Sequence, residues 1–276
     1  MRFCRKILLP VLIAALICPS DASAWHRHRK LRPRGADAIS ALLWDATTNH
    51  YYYARDIDRP IFPASTTKIM TILLALENLR LDDRVTVSER ATRVQPTKLD
   101  LKAGEQYRVR DLLYGVVLKS ANDAAVVLAE AVAGSEAKFV EMMNRRAARI
   151  GARHTRFANA HGLPSDGRQY STARDMALIF REALKKDFFR NAITFKYRII
   201  YSKDGRRHFL KSHNKSLFLD WKRSVYGKTG YTQQAQSCFV GYFIKGNDTY
   251  IIAVFGCRKR WDDIKFIIER YGKTDL

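Results

Sequence analysis

Cysteine is scarce in this chain. Four occur in 276 residues, and two of them, Cys4 and Cys18, fall in an N-terminal stretch that reads as a leader. The remaining pair, Cys238 and Cys257, is too few for a disulfide framework or a zinc site. We read them as two buried apolar thiols. Acidic residues are scarce too, with 27 Asp and Glu against 49 Lys and Arg, for a net charge of +22. Such an excess points to anionic partners (nucleic acid, an anionic membrane surface or an acidic polymer) and says little about fold. After residue 18 no apolar run approaches the roughly 20 residues of a spanning helix. No internal repeat and no low-complexity linker follows residue 36. Apolar residues are present in ordinary measure, at 47%. At this length that suffices for one large domain, or two small ones, around a sizeable core.

The N-terminus narrows the choice of partners. Arg2, Arg5 and Lys6 precede an apolar run from Ile7 to Cys18, and Ala22-Ser23-Ala24 follows. A charged start, a short apolar middle and a small-residue exit are the layout of a secretory signal peptide, here residues 1–24. Cleavage after Ala24 removes three basic residues and one acidic residue and leaves +20. An uncleaved anchor is the alternative. A lipid on Cys18 is a third reading, disfavoured by the bulky Leu16-Ile17 before it. Export places the chain in the periplasm or cell envelope and removes nucleic acid as a partner, leaving electrostatic contact with an anionic envelope polymer. Residues 25–35 read as a basic flexible tail. Nothing near its His26 and His28 completes a ligand set, and neither metal nor cofactor is expected. Residues 36–276 read as one domain.

Residues 38–44 and 50–54 are rich in β-branched and aromatic side chains and flank a turn at Thr47-Thr48-Asn49, so they are predicted strands. Pro63-Ala64 opens a helix with Ile69, Leu73, Leu76 and Leu79 at helical spacing. Residues 110–150 read as helix broken near Ser120 and at Gly134. Thr172-Ala173-Arg174-Asp175 is a capping box before another helix. Hairpins follow, around Asp204-Gly205 and around Gly246-Asn247-Asp248, and a last helix covers roughly 261–271. Short connections make the late strands antiparallel. The order of strands, helices, strands and helix predicts a sheet carrying a helical lobe, with the cleft between them as the natural site.

Three motifs carry the chemistry. Ser65-Thr66-Thr67-Lys68 puts a hydroxyl and an amine on one face of a helix start. A serine is a weak nucleophile until a base takes its proton, and lysine is such a base once desolvation or a neighbouring cation lowers its pKa. The helix N-terminus also favours developing negative charge. Ser120-Ala121-Asn122 sets a hydroxyl and an amide two residues apart in an extended loop before a helix. Ser120 is a candidate relay to a leaving amine, and Asn122 a holder of the lysine and a substrate carbonyl. Lys228-Thr229-Gly230, followed by Tyr231, suits an edge strand. Lys228 and Thr229 are candidates for a substrate carboxylate, Gly230 permits close approach, and the Tyr231 amide joins that of Ser65 as an oxyanion hole. Alone, each motif is commonplace; Ser-x-x-Lys also describes an N-cap serine followed by a surface lysine. Together, spaced 55 and then 108 residues apart, they form the signature shared by penicillin-binding proteins and class A β-lactamases.

From about Ala38 to Tyr271 the chain resembles the low-molecular-mass penicillin-binding proteins, the D-alanyl-D-alanine carboxypeptidase family. The likeness rests on Pro63 to Thr71, on Asn159-Ala160-His161-Gly162-Leu163, on Tyr170 to Ala177 and on Gly227 to Thr232. It implies an α/β fold of the α+β type: a five-stranded antiparallel sheet flanked by helices, plus an inserted all-helical lobe, as in DD-peptidases and β-lactamases. It also implies an acyl-enzyme on Ser65 with Lys68 as proton acceptor, stem peptides ending in D-Ala-D-Ala as substrate, and β-lactams as covalent inhibitors. The family's carboxylate-binding arginine maps onto Arg258 or Arg260, and Arg260 is favoured because it stands just before the last helix. Gln236-Ser237 departs from the Gly-aromatic pair expected there. The segment from Thr92 to Asp100 is short. Only 20 residues follow Gly256, from which no C-terminal β-domain or amphipathic anchor is expected. No Glu-x-x-Leu-Asn stands between Asn122 and Lys228, which separates the chain from class A β-lactamases. An endopeptidase on the same fold is the rival activity, and a non-catalytic binder of β-lactams or anionic polymer is the rival of another class.

Overall fold

The computed structural model describes residues 35–165 and 169–276. The leader, and all of the basic tail but Gly35, lie outside them. β1 (Ser40–Asp45) and β2 (His50–Arg55) form the first hairpin. Its turn is set by the Asp45 carboxylate, which accepts from the amides of Thr47 and Thr48 and from the Thr48 hydroxyl, as a short acidic side chain does in turns. A 3₁₀ turn over Ala64–Thr67 then leads into α1 (Lys68–Asn78). Lys68 to Ala75 are buried without a break, the mark of a helix enclosed on all sides.

The lobe comprises β3 (Arg84–Thr86), α2 (Glu89–Thr92), β4 (Gln106–Arg108), α3 (Val109–Tyr114), α4 (Asn122–Ala133) and α5 (Glu136–Ile150). α6 (Ala173–Leu184) and α7 (Asp187–Ala192) come next. α6 is capped by the Thr172 hydroxyl, which accepts from the Asp175 amide. The chain ends with β5 (Tyr197–Tyr201), β6 (Arg207–Lys211), β7 (Tyr226–Thr232), β8 (Gln236–Lys245), β9 (Asp248–Cys257) and α8 (Arg260–Tyr271).

The main sheet has the order β2-β1-β9-β8-β7, antiparallel at every pairing. Strand alternation divides its side chains. Leu42, Trp44, Val240 and Ala253 belong to the large core shared with α1, α4 and α6. Leu43, Phe239, Ile252 and Val254 pack instead with Ile264, Ile267 and Ile268 of α8. Both cysteines are free and buried. The lobe is not all-helical: β3 and β4 pair with each other within it, and β5 pairs with β6 outside the main sheet, as two small separate ladders. The first was not legible in the sequence because three-residue strands leave too short a period to detect. Residues 115–119, expected as α-helix, wind as a π-helical turn instead. Among the described residues no helix is long and apolar enough to cross a membrane.

Candidate active site

The 3₁₀ turn before α1 meets the edge strand β7. Ala64 holds a left-handed φ of 46°, sparsely populated backbone that costs energy for a residue with a side chain, and it stands directly before Ser65. Two glycines make this packing possible. A Cβ on Gly230 would lie 3.1 Å from the Ser65 amide nitrogen. One on Gly162, whose φ is +87°, would overlap the Ala64 carbonyl oxygen at 1.9 Å.

Lys68 lies fully buried beneath Ser65. Its Nζ is 3.0 Å from Ser65 Oγ, 2.6 Å from Asn122 Oδ1 and 2.6 Å from the His161 carbonyl oxygen. The last two atoms can only accept. A neutral amine has two N–H groups and one lone pair; with both N–H groups given to those oxygens, the lone pair is left for the Ser65 hydroxyl. Burial, and then the charge of Lys228, hold the Lys68 pKa well below its ordinary value, a shift toward the neutral amine. Asp123 opposes this, but its carboxylate is occupied by the amides of Leu99, Leu101 and Ala124.

Ser120 and Asn122 do not share an extended loop. Ser120 closes the π-helical turn in the left-handed region, at φ 60°, and Asn122 opens α4. The kink aims the Asn122 amide oxygen at Lys68 while its Nδ2 donates to the Gln95 carbonyl. Ser120 Oγ accepts from Lys228 Nζ at 2.8 Å. Lys228, read from the sequence as a candidate for the substrate carboxylate, engages Ser120 and its own strand in this structure. Its ammonium is buried, bonded to Ser120 Oγ and, at 3.1 Å, to the Thr229 carbonyl. Burial, then Arg260, push its pKa down to about 7.

Above this floor opens a cleft of about 910 Å³, lined among others by Ser65, Ser120, Thr229, Gly230, Tyr231 and Arg260. Lys119, Lys211 and Lys215 also face it, and no described residue lining it is acidic. Arg260 Nη1 donates to the carbonyls of Gly230 and Cys238, which engages one of its three nitrogens. Arg258 is instead drawn away to the surface, where it pairs bidentately with Asp37. Among the described residues no group of three or more His, Cys, Asp or Glu is placed to hold a metal.

Comparison with known proteins places the chain in a family. A family model described as D-alanyl-D-alanine carboxypeptidase matches residues 28–259. The chain belongs to the D-alanyl-D-alanine carboxypeptidase family. It is 32% identical to the D-alanyl-D-alanine carboxypeptidase DacF of Bacillus subtilis, over 91% of this chain and 66% of the relative. To DacC of Escherichia coli it is 33% identical, over 88% of this chain and 62% of the relative. The chain thus spans a little under two thirds of those relatives' length. Among solved structures, a D-alanyl-D-alanine carboxypeptidase of Mycobacterium tuberculosis superposes with a TM-score of 0.80 at 28% identity, covering 87% of this chain and 92% of that one. A variant of a Streptomyces DD-transpeptidase also gives 0.80 at 28% identity, over 87% and 99%.

In this member of the carboxypeptidase family three residues matter that motif reading left without a role. His161 contributes its carbonyl to Lys68, and burial, then Lys68 and Arg90, push its imidazole down to about 3, so the ring stays neutral. Glu136 accepts from the Ala160 amide and from Arg90, fixing the segment that presents the His161 carbonyl. Thr97 lines the cleft, and its carbonyl accepts from the Asn122 amide. His161 stood within a family-like segment, but a backbone carbonyl leaves no residue-type signal, and Glu136 read as ordinary helix.

Proposed function

We propose that this chain is an exported serine-type D-Ala-D-Ala carboxypeptidase of the periplasm or cell envelope. It acts on peptidoglycan stem peptides through an acyl-enzyme on Ser65, and β-lactams inhibit it by acylating the same oxygen. The observation that carries the reading is the buried Lys68 amine, 3.0 Å from Ser65 Oγ with both its N–H groups accounted for by acceptor-only oxygens. Export rests on the layout of residues 2–24. The excess of basic residues adds affinity for anionic envelope polymer, a contribution that salt screens.

Lys68 takes the hydroxyl proton as Ser65 Oγ attacks the carbonyl carbon of the penultimate D-alanine. Charge develops on the carbonyl oxygen, opposite the amides of Ser65 and Tyr231. The C–N bond then breaks. The proton on Lys68 passes through the Ser120 hydroxyl to the leaving nitrogen, while Lys228 stabilises Ser120 Oγ. Terminal D-alanine departs, and Lys68, neutral again, activates the water that hydrolyses the ester. Thr229 and Arg260 receive the substrate's terminal carboxylate, and Gly230 lets the peptide lie against β7.

The test is mass spectrometry after incubation with a penicillin, together with D-alanine release from a D-Ala-D-Ala peptide. One acyl adduct on Ser65 and stoichiometric D-alanine are expected, both lost in Ser65→Ala. An adduct on another residue, or release that survives the substitution, overturns the assignment.

A further inference from the structure

The β5–β6 hairpin carries side chains that the reaction leaves unused. Alternate residues of a two-stranded ribbon fall on opposite sides. Ile200 and Leu210 are buried on the inner side, while Tyr197, Ile199, Tyr201 and Phe209 stand on the outer side, 39% to 52% exposed. Large apolar groups gathered in solvent mark a contact surface. The rings of Tyr197 and Phe209 lie nearly parallel, centroids 5.6 Å apart. Phe218 stands edge-on to Tyr197 at 5.5 Å, with Lys211 Nζ 5.3 Å from its own centroid. Residues 194–223 hold nine Lys and Arg against two Asp. This surface is continuous with the cleft, because Phe209, Lys211, Lys215, Phe218 and Leu219 line the same cavity as Ser65.

We propose that this wall is a saccharide subsite that binds the amino-sugar strand to which the stem peptide is attached. Pyranose rings present flat C–H faces, and aromatic rings with electron-rich faces receive them. Tyr197 and Phe209 supply that platform. Sugars whose peptide has been removed carry a free carboxylate, which Lys211 and Lys215 meet. A bilayer is the other partner that basic and aromatic residues suit. Seated here, it would cover Phe209, Phe218 and Leu219 and close the opening over Ser65. A strand leading out of the cleft covers the same residues and leaves Ser65 open to the peptide.

The inference rests on the peptidoglycan reading for what enters the cleft, but its test requires no turnover. The full chain is titrated calorimetrically with a peptide-free tetrasaccharide of alternating N-acetylglucosamine and N-acetylmuramic acid. Saturable binding is expected, weakened about tenfold in Tyr197→Ala and again in Phe209→Ala. Lys211→Gln weakens it less, and has no effect when an uncharged N-acetylglucosamine tetrasaccharide is the probe. Melting temperatures measured beside each titration separate lost contact from lost fold. Absent binding, equal binding by folded variants, or capture by anionic phospholipid vesicles that the saccharide fails to compete overturns the subsite. Saccharide binding without D-alanine release would count against the reaction alone.

Discussion

Lys68 and Lys228 on the floor of the cleft have almost no contact with solvent, whereas Lys211 and Lys215 on its wall are exposed. The floor holds two amines that repel each other, and Asp123, the carboxylate that acts on Lys68, is already occupied by backbone amides. Burying an unpaired charge is costly, and a group so placed shifts its pKa toward neutrality. Both floor lysines respond in that direction, and the floor thereby gains a proton acceptor. On the wall, water solvates the ammonium groups, and the same side chain serves as charge. Lysine is thus a base or an electrostatic contact according to depth.

The largest effect expected from breaking this comparison is at Lys68. Lys68→Arg puts a permanently protonated group on the floor, a cation where the working base is a neutral amine, and so removes the base. Penicillin acylation of Ser65 should slow by on the order of 10²-fold or more. Stopped-flow acylation checks this, and a near-normal rate would remove Lys68 from the role of base.

The floor was legible in the sequence and the wall was not, for a physical reason. Acyl transfer needs a hydroxyl, an amine and an amide in fixed relation. The turn before α1, the start of α4 and the edge strand β7 can supply them only at set spacings, so Ser65-x-x-Lys68, Ser120-x-Asn122 and Lys228-Thr229-Gly230 stand out. The sheet was legible for a similar reason, since the alternation and turn chemistry of β1, β2, β8 and β9 are strong local signals. Tyr197, Phe209 and Phe218 meet through a hairpin and a following loop with no fixed spacing; Tyr197 and Phe209 read as ordinary strand residues, and Phe218 fell in no predicted element. The partner of Lys228 was also hidden. That Ser120 Oγ would receive its ammonium depends on the left-handed kink at Ser120, which no residue type announces.

A smaller effect separates two arginines two positions apart. Arg260 faces the cleft, and Arg258 is held by Asp37 at the surface. A hydrogen bond to a charged group contributes about 1.5–3 kcal/mol, or roughly ten- to a hundredfold in affinity. Arg260→Ala should therefore lower kcat/KM by that factor for a peptide with a free C-terminal carboxylate, relative to the same peptide amidated. The ratio removes the general damage caused by freeing the Gly230 and Cys238 carbonyls. Arg258→Ala should leave the ratio unchanged. Equal losses on both peptides in Arg260→Ala would show that the guanidinium only braces β7 and β8.

The subtlest effect is a displacement along the pH axis. Lys68 works as a base only when neutral, so kcat/KM should rise as pH climbs through its pKa. After burial, the charge of Lys228 is the next cause holding that pKa down. Lys228 carries its charge chiefly below about 7, so the help it gives Lys68 is an acid-side effect. Replacing it with an uncharged side chain of similar length, Lys228→Met, lets the Lys68 pKa rise. More of the amine is then protonated at a given acidic pH, and the acid limb of the kcat/KM profile moves to higher pH. Above about 7 the native Lys228 has lost most of its charge, and the two profiles should run parallel there. A constant offset is expected on that side because Ser120 Oγ has lost its donor. The limb's position reports the electrostatic coupling and its height reports the lost hydrogen bond, so one profile yields both. A limb that stays in place while the whole curve drops would mean that burial alone sets the proton affinity of Lys68.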